Sequence, residues 1–165
     1  MFRVFYLTVV IAAVTADDVA MHKRKCVGPL LAAAKCCSSL PELPEDYKNN
    51  MKECMQLPDS PVSCDRDICM STKDGTGKDN GEVIYSKAQE VLEKTFADSP
   101  ELLKTIKEQC VEGDIERYGL PDTCELKKFR HCIEIQTLKA CNVWSGEGNC
   151  GEVKEKAQEC FKLFN

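Results

Sequence analysis

Apolar positions recur with the period of an α-helix over much of the chain. The clearest series has the spacing i, i+3, i+4, i+7, i+8 and comprises Ala88, Val91, Leu92, Thr95 and Phe96. This spacing places the five side chains on one face of a helix. A second helix is predicted to begin at Ser99-Pro100-Glu101, which offers an N-cap, a proline at the first helical position and an acid in the first turn, and to end at Gly113.

The segment from Cys124 to Cys141 is apolar on two sides. One seam consists of Leu126, Phe129, Ile133 and Ala140, and the other of Cys124, Cys132, Ile135 and Leu138. A helix with two apolar faces is normally packed between neighbours on both sides. We therefore expect this helix to cross the middle of the domain.

Shorter helical segments are predicted at 28–37, 46–57 and 64–70. They are separated by loops rich in turn-forming residues at 39–46, 71–81 and 119–123. Val83-Ile84-Tyr85 is the one β-like run, and no repeat or long linker divides the chain. The pattern as a whole predicts a single all-α domain of about six to eight helices.

The first residues follow a different pattern. Arg3 is a short basic segment, Val4 to Val14 is almost wholly apolar, and Val14-Thr15-Ala16 has the small residues of a cleavage site. This arrangement is typical of a secretory signal peptide and is too short for a spanning helix, with a buried N-terminal helix as the alternative. We expect residues 1–16 to be a signal peptide and residues 17–165 to form a secreted, extracellular domain.

Cysteine content changes this picture most. The chain has twelve: Cys26, Cys36, Cys37, Cys54, Cys64, Cys69, Cys110, Cys124, Cys132, Cys141, Cys150 and Cys160. In an exported chain of this length, an even number of cysteines predicts a disulfide framework. Six bridges at about 2–4 kcal/mol each exceed what a domain of this size needs in order to fold. The excess suggests a hostile medium, or a fold kept rigid around something such as a cavity.

Helix geometry excludes some of the possible bridges. On a continuous helix, Cys132 and Cys141 would lie about 13 Å apart and Cys124 and Cys132 about 12 Å apart. A disulfide needs Cα atoms within about 7 Å, so neither pair can form one. A bridge between adjacent Cys36 and Cys37 would be strained, so these two are expected to have separate partners. Twelve cysteines otherwise allow about ten thousand formal pairings.

Net charge and the arrangement of possible metal-ligating residues argue against several functions. Without Arg3 the chain has 21 basic and 27 acidic residues, a formal charge of −6. An acidic chain without basic clusters argues against nucleic acid and anionic membrane surfaces as partners. Only Cys64-x4-Cys69 approaches a zinc motif, and His22 and His131 add little, so we predict no metal and no cofactor.

Catalytic motifs are also missing. The sequence has no GxSxG, no HExxH and no cysteine-protease signature, and its two histidines leave few candidates for acid–base chemistry. Asp65, Asp67 and Glu134 are expected to lie on solvated helix faces. We therefore predict that the protein is not an enzyme.

The cysteine spacing resembles that of insect odorant-binding proteins. The chain has Cys37-x26-Cys64-x4-Cys69-x40-Cys110, followed by Cys132-x8-Cys141. The family has six cysteines, with Cys-x3-Cys in the middle and Cys-x8-Cys near the end. The additional cysteines, and Trp144 between two late cysteines, look like the cysteine-expanded Plus-C branch. The chain departs from the family pattern in two ways. Its middle interval is x4 instead of x3, and no proline follows Cys141 or Cys150. The missing proline leaves open which cysteine corresponds to the sixth of the family.

The resemblance implies a fold, a function and a partial pairing. Helices would surround an apolar cavity that carries odorants, pheromones or similar molecules through aqueous fluid, such as sensillar lymph, toward a membrane receptor, with a homodimer as one possible assembly. The implied disulfides are Cys37–Cys69, Cys64–Cys132 and Cys110–Cys141, and the other six cysteines stay unassigned. Two other classes stay open: a secreted interaction protein without a cavity, and a lipid-binding helical disulfide protein of the saposin kind.

Candidate ligand-binding residues come from the apolar helix faces, with Tyr85 supplying a hydroxyl. They are Met55, Met70, Tyr85, Val91, Phe96, Leu103, Phe129, Ile133 and Trp144. The alternative for each is an ordinary core position. The apolar tail with Phe161, Leu163 and Phe164 is expected to act as a lid or to pack on the surface. His131 is a candidate for pH-sensitive release, with a satisfied or exposed histidine as the alternative.

Overall fold

The computed structural model describes residues 16–58, 60 and 62–164, and over these residues the chain is all-helical. Seven α-helices are present: α1 Ala16–Cys36, α2 Glu45–Cys54, α3 Asp65–Asp74, α4 Tyr85–Thr95, α5 Pro100–Ile106, α6 Glu125–Lys139 and α7 Cys150–Phe161. A π-helical turn, Lys107–Val111, continues α5, and 3-10 turns lie at Glu116–Tyr118 and Lys162–Phe164. The predicted all-α, disulfide-stapled fold is confirmed.

Most predicted helices are present with shifted ends. The helix predicted at 28–37 is the second half of the longer α1, and those predicted at 46–57 and 64–70 correspond to α2 and α3. The β-like run forms no strand: Val83 makes an isolated bridge to Gly77, and Tyr85 opens α4. Helix α7 was not predicted. Apart from Ala16, with which α1 begins, the predicted signal peptide lies outside the described residues.

Helix α6 crosses the middle of the fold, as its two apolar seams predict. It packs against α1, α3, α5, α7 and the π-helical turn. Leu126, Phe129, Cys132, Ile135 and Leu138 are buried along it. The first four belong to the main core, with α4, α5 and the turns around them, and Leu138 belongs to a second core between α1 and α7.

Six disulfides pair all twelve cysteines and fall into two sets. The inner set interleaves along the chain: Cys54–Cys69, Cys64–Cys124 and Cys110–Cys132. The outer set is nested and ties α1 and the residue after it to the region around α7: Cys26–Cys160, Cys36–Cys150 and Cys37–Cys141. The three exclusions drawn from helix geometry are confirmed.

The three pairings implied by the family resemblance are wrong. Cys37 bonds to Cys141 rather than to Cys69, because the end of α1 lies beside the segment after α6, where Cys37 also bridges Trp144. Cys54, buried at the end of α2, takes Cys69 on the adjacent α3. Cys64 then bonds to Cys124 and Cys110 to Cys132. The expected order, first with third, second with fifth and fourth with sixth, is nevertheless present, on a different set of six cysteines.

Candidate functional site

Five of the nine predicted ligand-binding residues meet in the main core. Phe96 and Phe129 are buried there, and Tyr85, Leu103 and Ile133 pack against it. The rings of Tyr85 and Phe129 are in edge-to-face contact, with centroids 5.7 Å apart and an interplanar angle of 83°. The apolar seams of α4, α5 and α6 therefore converge, which the helical spacing predicted.

The other four predicted residues lie elsewhere. Trp144 packs against the second core and donates its indole N–H to the carbonyl oxygen of Cys141. Met55 is 54% exposed and Val91 37% exposed, while Met70 is half-buried and outside both cores. Val91 lies at the edge of its seam, since the buried side chains of α4 are Ala88 and Leu92.

The hydroxyl of Tyr85 is already engaged within the protein. It donates to Glu125 Oε1 over 3.0 Å, and the other oxygen of Glu125 accepts the backbone N–H of Val83 at 2.8 Å. Burial, with the hydrogen bond to Glu125, raises the pKa of Tyr85 to about 12. This carboxylate therefore fixes the start of α4 to α6, and a ligand would have to compete with it for the hydroxyl.

Phe164 occupies the main core rather than covering it. Its side chain is 5% exposed, and its ring is stacked on that of Tyr118 with centroids 6.0 Å apart and planes 1° apart. Phe161 and Leu163 pack against the same core. The expectation of a lid or a surface segment is therefore wrong for Phe164, because its ring is an integral part of the interior. An open apolar cavity stays a prediction.

Polar groups surround the stacked pair, and we call Tyr118, Phe164, Lys23, Arg117 and Gln136 the ring site. Gln136 donates to the Tyr118 hydroxyl over 2.7 Å. The Arg117 guanidinium lies 5.0 Å from the centre of the Tyr118 ring, and the Lys23 ammonium 5.6 Å from that of Phe164. Burial lowers the pKa of Lys23. The ring site thus combines an apolar, aromatic interior with two cations at its edge, a combination that cation–π attraction favours.

A second cluster of ionisable groups joins α3 to α6. Asp67 is 3% exposed; its Oδ1 accepts from Arg130 Nε at 2.5 Å, and its Oδ2 lies 3.7 Å from Lys127 Nζ. Lys127 also donates to the carbonyl oxygen of Ser60, and Arg130 to Glu134. The expectation that Asp67 is solvated is wrong, because two cations from α6 enclose it.

Metal ligation does not account for these groups within the described residues, and two surface clefts lie apart from the predicted ligand-binding residues. Within the described chain, no set of three His, Cys, Asp or Glu side chains is arranged to hold a metal ion. Two clefts of about 280 and 270 Å³ open onto the surface, and none of the nine predicted ligand-binding residues lines them. The first has the hydroxyl groups of Ser39, Ser99 and Thr137 on its walls; the second lies between α1 and α7.

Comparisons with known proteins identify no relative. No family model, no curated protein and no solved structure matches the chain. Among the helices of the described residues, none has the length and apolar character required to cross a bilayer.

Sequence reasoning missed the residues of the ring site other than Phe164. Tyr118 lies in a three-residue 3-10 turn and Gln136 on a helix with two apolar seams, so periodicity singles out neither. One signal was present: Gln136 lies one turn after Cys132 on a buried face of α6, where a polar side chain requires a buried partner.

Proposed function

We propose that this protein is a secreted, non-enzymatic carrier of small hydrophobic molecules, which bind at the ring site when the Phe164 side chain withdraws. The observation that carries the proposal is the burial of the Phe164 ring against Tyr118, in a 3-10 turn that follows Cys160, the last cysteine of the given chain. Stacking on Tyr118 and the Lys23 ammonium hold this ring, whereas disulfides hold the helices around it.

Exchange of this ring for a ligand has a small net cost. Full burial of a phenylalanine side chain contributes about 1.5–3 kcal/mol. An apolar ligand that buries a similar area at about 25 cal/mol per Å² restores that contribution. Whether a given ligand replaces the Phe164 ring then depends on the orientation that the neighbouring polar groups impose on that ligand. Ligands with an aromatic or extended apolar body should therefore compete best with Phe164.

The disulfide arrangement supports the same proposal. Cys110–Cys132 lies inside the main core, and both its cysteines are fully buried. Cys26–Cys160 fixes the end of α7 immediately before the segment that contains Phe164. The walls would therefore keep their positions when the ring leaves. The interleaved order of the inner set is the order expected for odorant-binding proteins, which favours odorants, pheromones or similar compounds as ligands and a membrane receptor as the eventual partner.

One observation favours a second candidate, a secreted interaction or lipid-binding protein. On α1, Val27 is 54% and Leu31 64% exposed, four residues apart on one face. Arg24 and Lys35 are exposed on the same side of that helix. An apolar stripe between cations is a surface that a lipid headgroup region or an acidic partner can cover.

A probe-displacement experiment tests the carrier. The fluorescent apolar probe N-phenyl-1-naphthylamine would be titrated into the wild-type protein and Phe164→Ala, with Val143→Ala at a 54% exposed position as the control. We expect saturable binding, displacement by small volatiles, and higher affinity in Phe164→Ala, because the ring no longer competes. Phe164→Leu covers the case in which the alanine variant does not fold.

Two results would end the carrier proposal. One is the lack of saturable probe binding in all the folded variants, and the other is equal affinity in the wild type and the folded Phe164 variants. If either result is obtained and the protein binds lipid vesicles, the second candidate function is supported instead.

A further inference from the structure

The groove between α1 and α7 has the composition of a binding site for an organic anion. It is the cleft of about 270 Å³ that lies over the Cys26–Cys160 disulfide. Helix α1 contributes His22, Lys25 and Pro29, and the α7 side contributes Lys156, Glu159 and Leu163. On each side the lining positions, together with the cysteine, follow i, i+3, i+4, i+7, so the groove runs along both helices.

The groove is lined by more basic than acidic side chains, although the protein as a whole is acidic. Whereas the chain has a net charge of −5, the groove is lined by two lysines, a histidine and one glutamate. Neither Lys25 nor Lys156 has a hydrogen bond or an ion pair with any described residue. Two exposed ammonium groups without an ion pair, one on each helix, can both contact a negative group in the groove.

His22 is held in an orientation that adds to this site. Its Nδ1 lies 2.6 Å from the carbonyl oxygen of Asp18, one turn earlier on α1. A carbonyl oxygen only accepts, so Nδ1 carries the proton and Nε2 is the nitrogen left for a ligand. In an imidazolium both ring nitrogens donate, so Nε2–H would be a third cationic donor.

The groove also has an apolar part. Pro29, Leu163 and the two cysteines of the disulfide line the groove together with the charged residues. A purely inorganic anion would leave that surface in water, whereas a ligand with a hydrocarbon part would bury it at about 25 cal/mol per Å². The volume lies just below the roughly 300–1,000 Å³ of sites for drug-sized ligands, which points to a smaller molecule.

We propose that the α1–α7 groove binds small monocarboxylates with a short apolar chain. The carboxylate lies between Lys25 and Lys156, and the chain lies over Pro29 and Leu163. Glu159 gives the site its selectivity, because a second carboxylate on the ligand would approach a like charge. This site is separate from the ring site and does not rest on the proposed carrier function.

Isothermal titration of the full protein with hexanoate tests this site, with hexanol and adipate as matched ligands. Hexanol keeps the chain without the charge, and adipate adds a second carboxylate. We expect hexanoate to bind more tightly than either, and the difference to shrink at high salt. Lys25→Gln/Lys156→Gln should weaken hexanoate about fivefold or more, whereas Lys35→Gln, on the exposed face of α1, should not change it.

The outcomes separate this site from the ring site. Glu159→Gln should improve the affinity for adipate relative to hexanoate. If hexanoate and hexanol bind equally, or if the double lysine variant binds hexanoate as the wild type does, the groove is not a carboxylate site. Loss of hexanoate binding in Phe164→Leu with full binding in the double lysine variant would place the ligand at the ring site and also overturn the proposal.

Discussion

The side-chain amide of Gln136 donates a hydrogen bond of 2.7 Å to the hydroxyl of Tyr118, and both side chains are buried. Helix α6 supplies the amide, and the 3-10 turn Glu116–Tyr118 supplies the hydroxyl. Because a buried amide without an acceptor keeps its full desolvation cost, this pair fixes the ring on which Phe164 stacks. The hydrogen bond between Gln136 and Tyr118 thus sets the position of the stacked contact between Tyr118 and Phe164.

Removal of the Tyr118 hydroxyl should destabilise the fold more than its size suggests. In Tyr118→Phe the Gln136 amide stays buried without its acceptor, so we expect the free energy of unfolding to fall by about 1–3 kcal/mol. Urea denaturation measures this change. The double variant Tyr118→Phe/Gln136→Leu, in which both polar groups are absent, should recover part of the loss. A double variant that is as unstable as the sum of the two single variants would contradict the coupling.

Replacement of the enclosed aspartate should have a larger effect. Asp67→Asn leaves Lys127 and Arg130 without their shared counter-ion, and loss of one partner of a buried ion cluster costs about 3–5 kcal/mol. Asp65→Asn is the matched control, two residues earlier on α3 and exposed, and should change stability by less than about 1 kcal/mol. Thermal or urea unfolding of the two variants gives the comparison. Equal effects would show that Asp67 is not paired as described.

The half-buried side chain of His131 predicts a pH dependence of stability. Burial lowers the pKa of His131; nearby Arg130 adds to this effect, while Glu134, Asp67 and the hydrogen bond to the Tyr118 carbonyl oppose it. In the unfolded chain the imidazole binds a proton near its ordinary pKa of 6.5, so below that pH the unfolded state holds more protons than the folded one. The free energy of unfolding should therefore fall as the pH drops below about 6.5, down to the lowered pKa.

The variant His131→Gln separates this effect from general acid denaturation. It should reduce the slope of unfolding free energy against pH between about 6.5 and 5 relative to that of the wild type. The same titration tests pH-sensitive release. Ligand affinity that stays constant between about pH 5 and 7.5 would exclude His131 as a release switch.

The disulfide assignment makes a prediction for peptide mapping. Trypsin cleaves after Arg130 and Lys139, which separates Cys132 from Cys141. We expect the peptide 131–139 to be joined to the peptide that contains Cys110, and the peptide that contains Cys141 and Cys150 to be joined to the one that contains Cys36 and Cys37. Free thiols are blocked before digestion, because disulfide exchange requires a thiolate. A Cys64–Cys132 or Cys110–Cys141 peptide would restore the pairing that the resemblance implied.

Individual helices were predictable from the sequence where apolar residues are closely spaced along one face. The two seams of α6 predicted both its extent and its central position. Helix α7 was missed because its buried face consists of only Val153, Ala157 and Cys160, set among glycine and charged residues. Its helical character depends on packing against α1 and on two disulfides, and neither leaves a periodic signal in the sequence.

The candidate site was predictable only in part, for a related reason. Side chains on dense seams, such as Phe96 and Phe129, converge because their helices converge. The position of Phe164 depends on which segments the disulfides bring together, and helix geometry excludes pairs of cysteines without choosing among those that remain. The interleaved set contains Cys54 and Cys124 where the resemblance implied Cys37 and Cys141, and spacing alone does not decide between the two sets.

The central claim, that a ligand replaces the Phe164 ring, is tested most directly by fluorine NMR of the protein with 4-fluorophenylalanine at position 164. In the free protein we expect one resonance of a buried, restricted ring beside Tyr118. Saturation with N-phenyl-1-naphthylamine, or with a volatile that displaces it, should convert this resonance into the narrow signal of a solvent-exposed ring. A signal that stays at the buried position while the ligand saturates the protein would contradict the account.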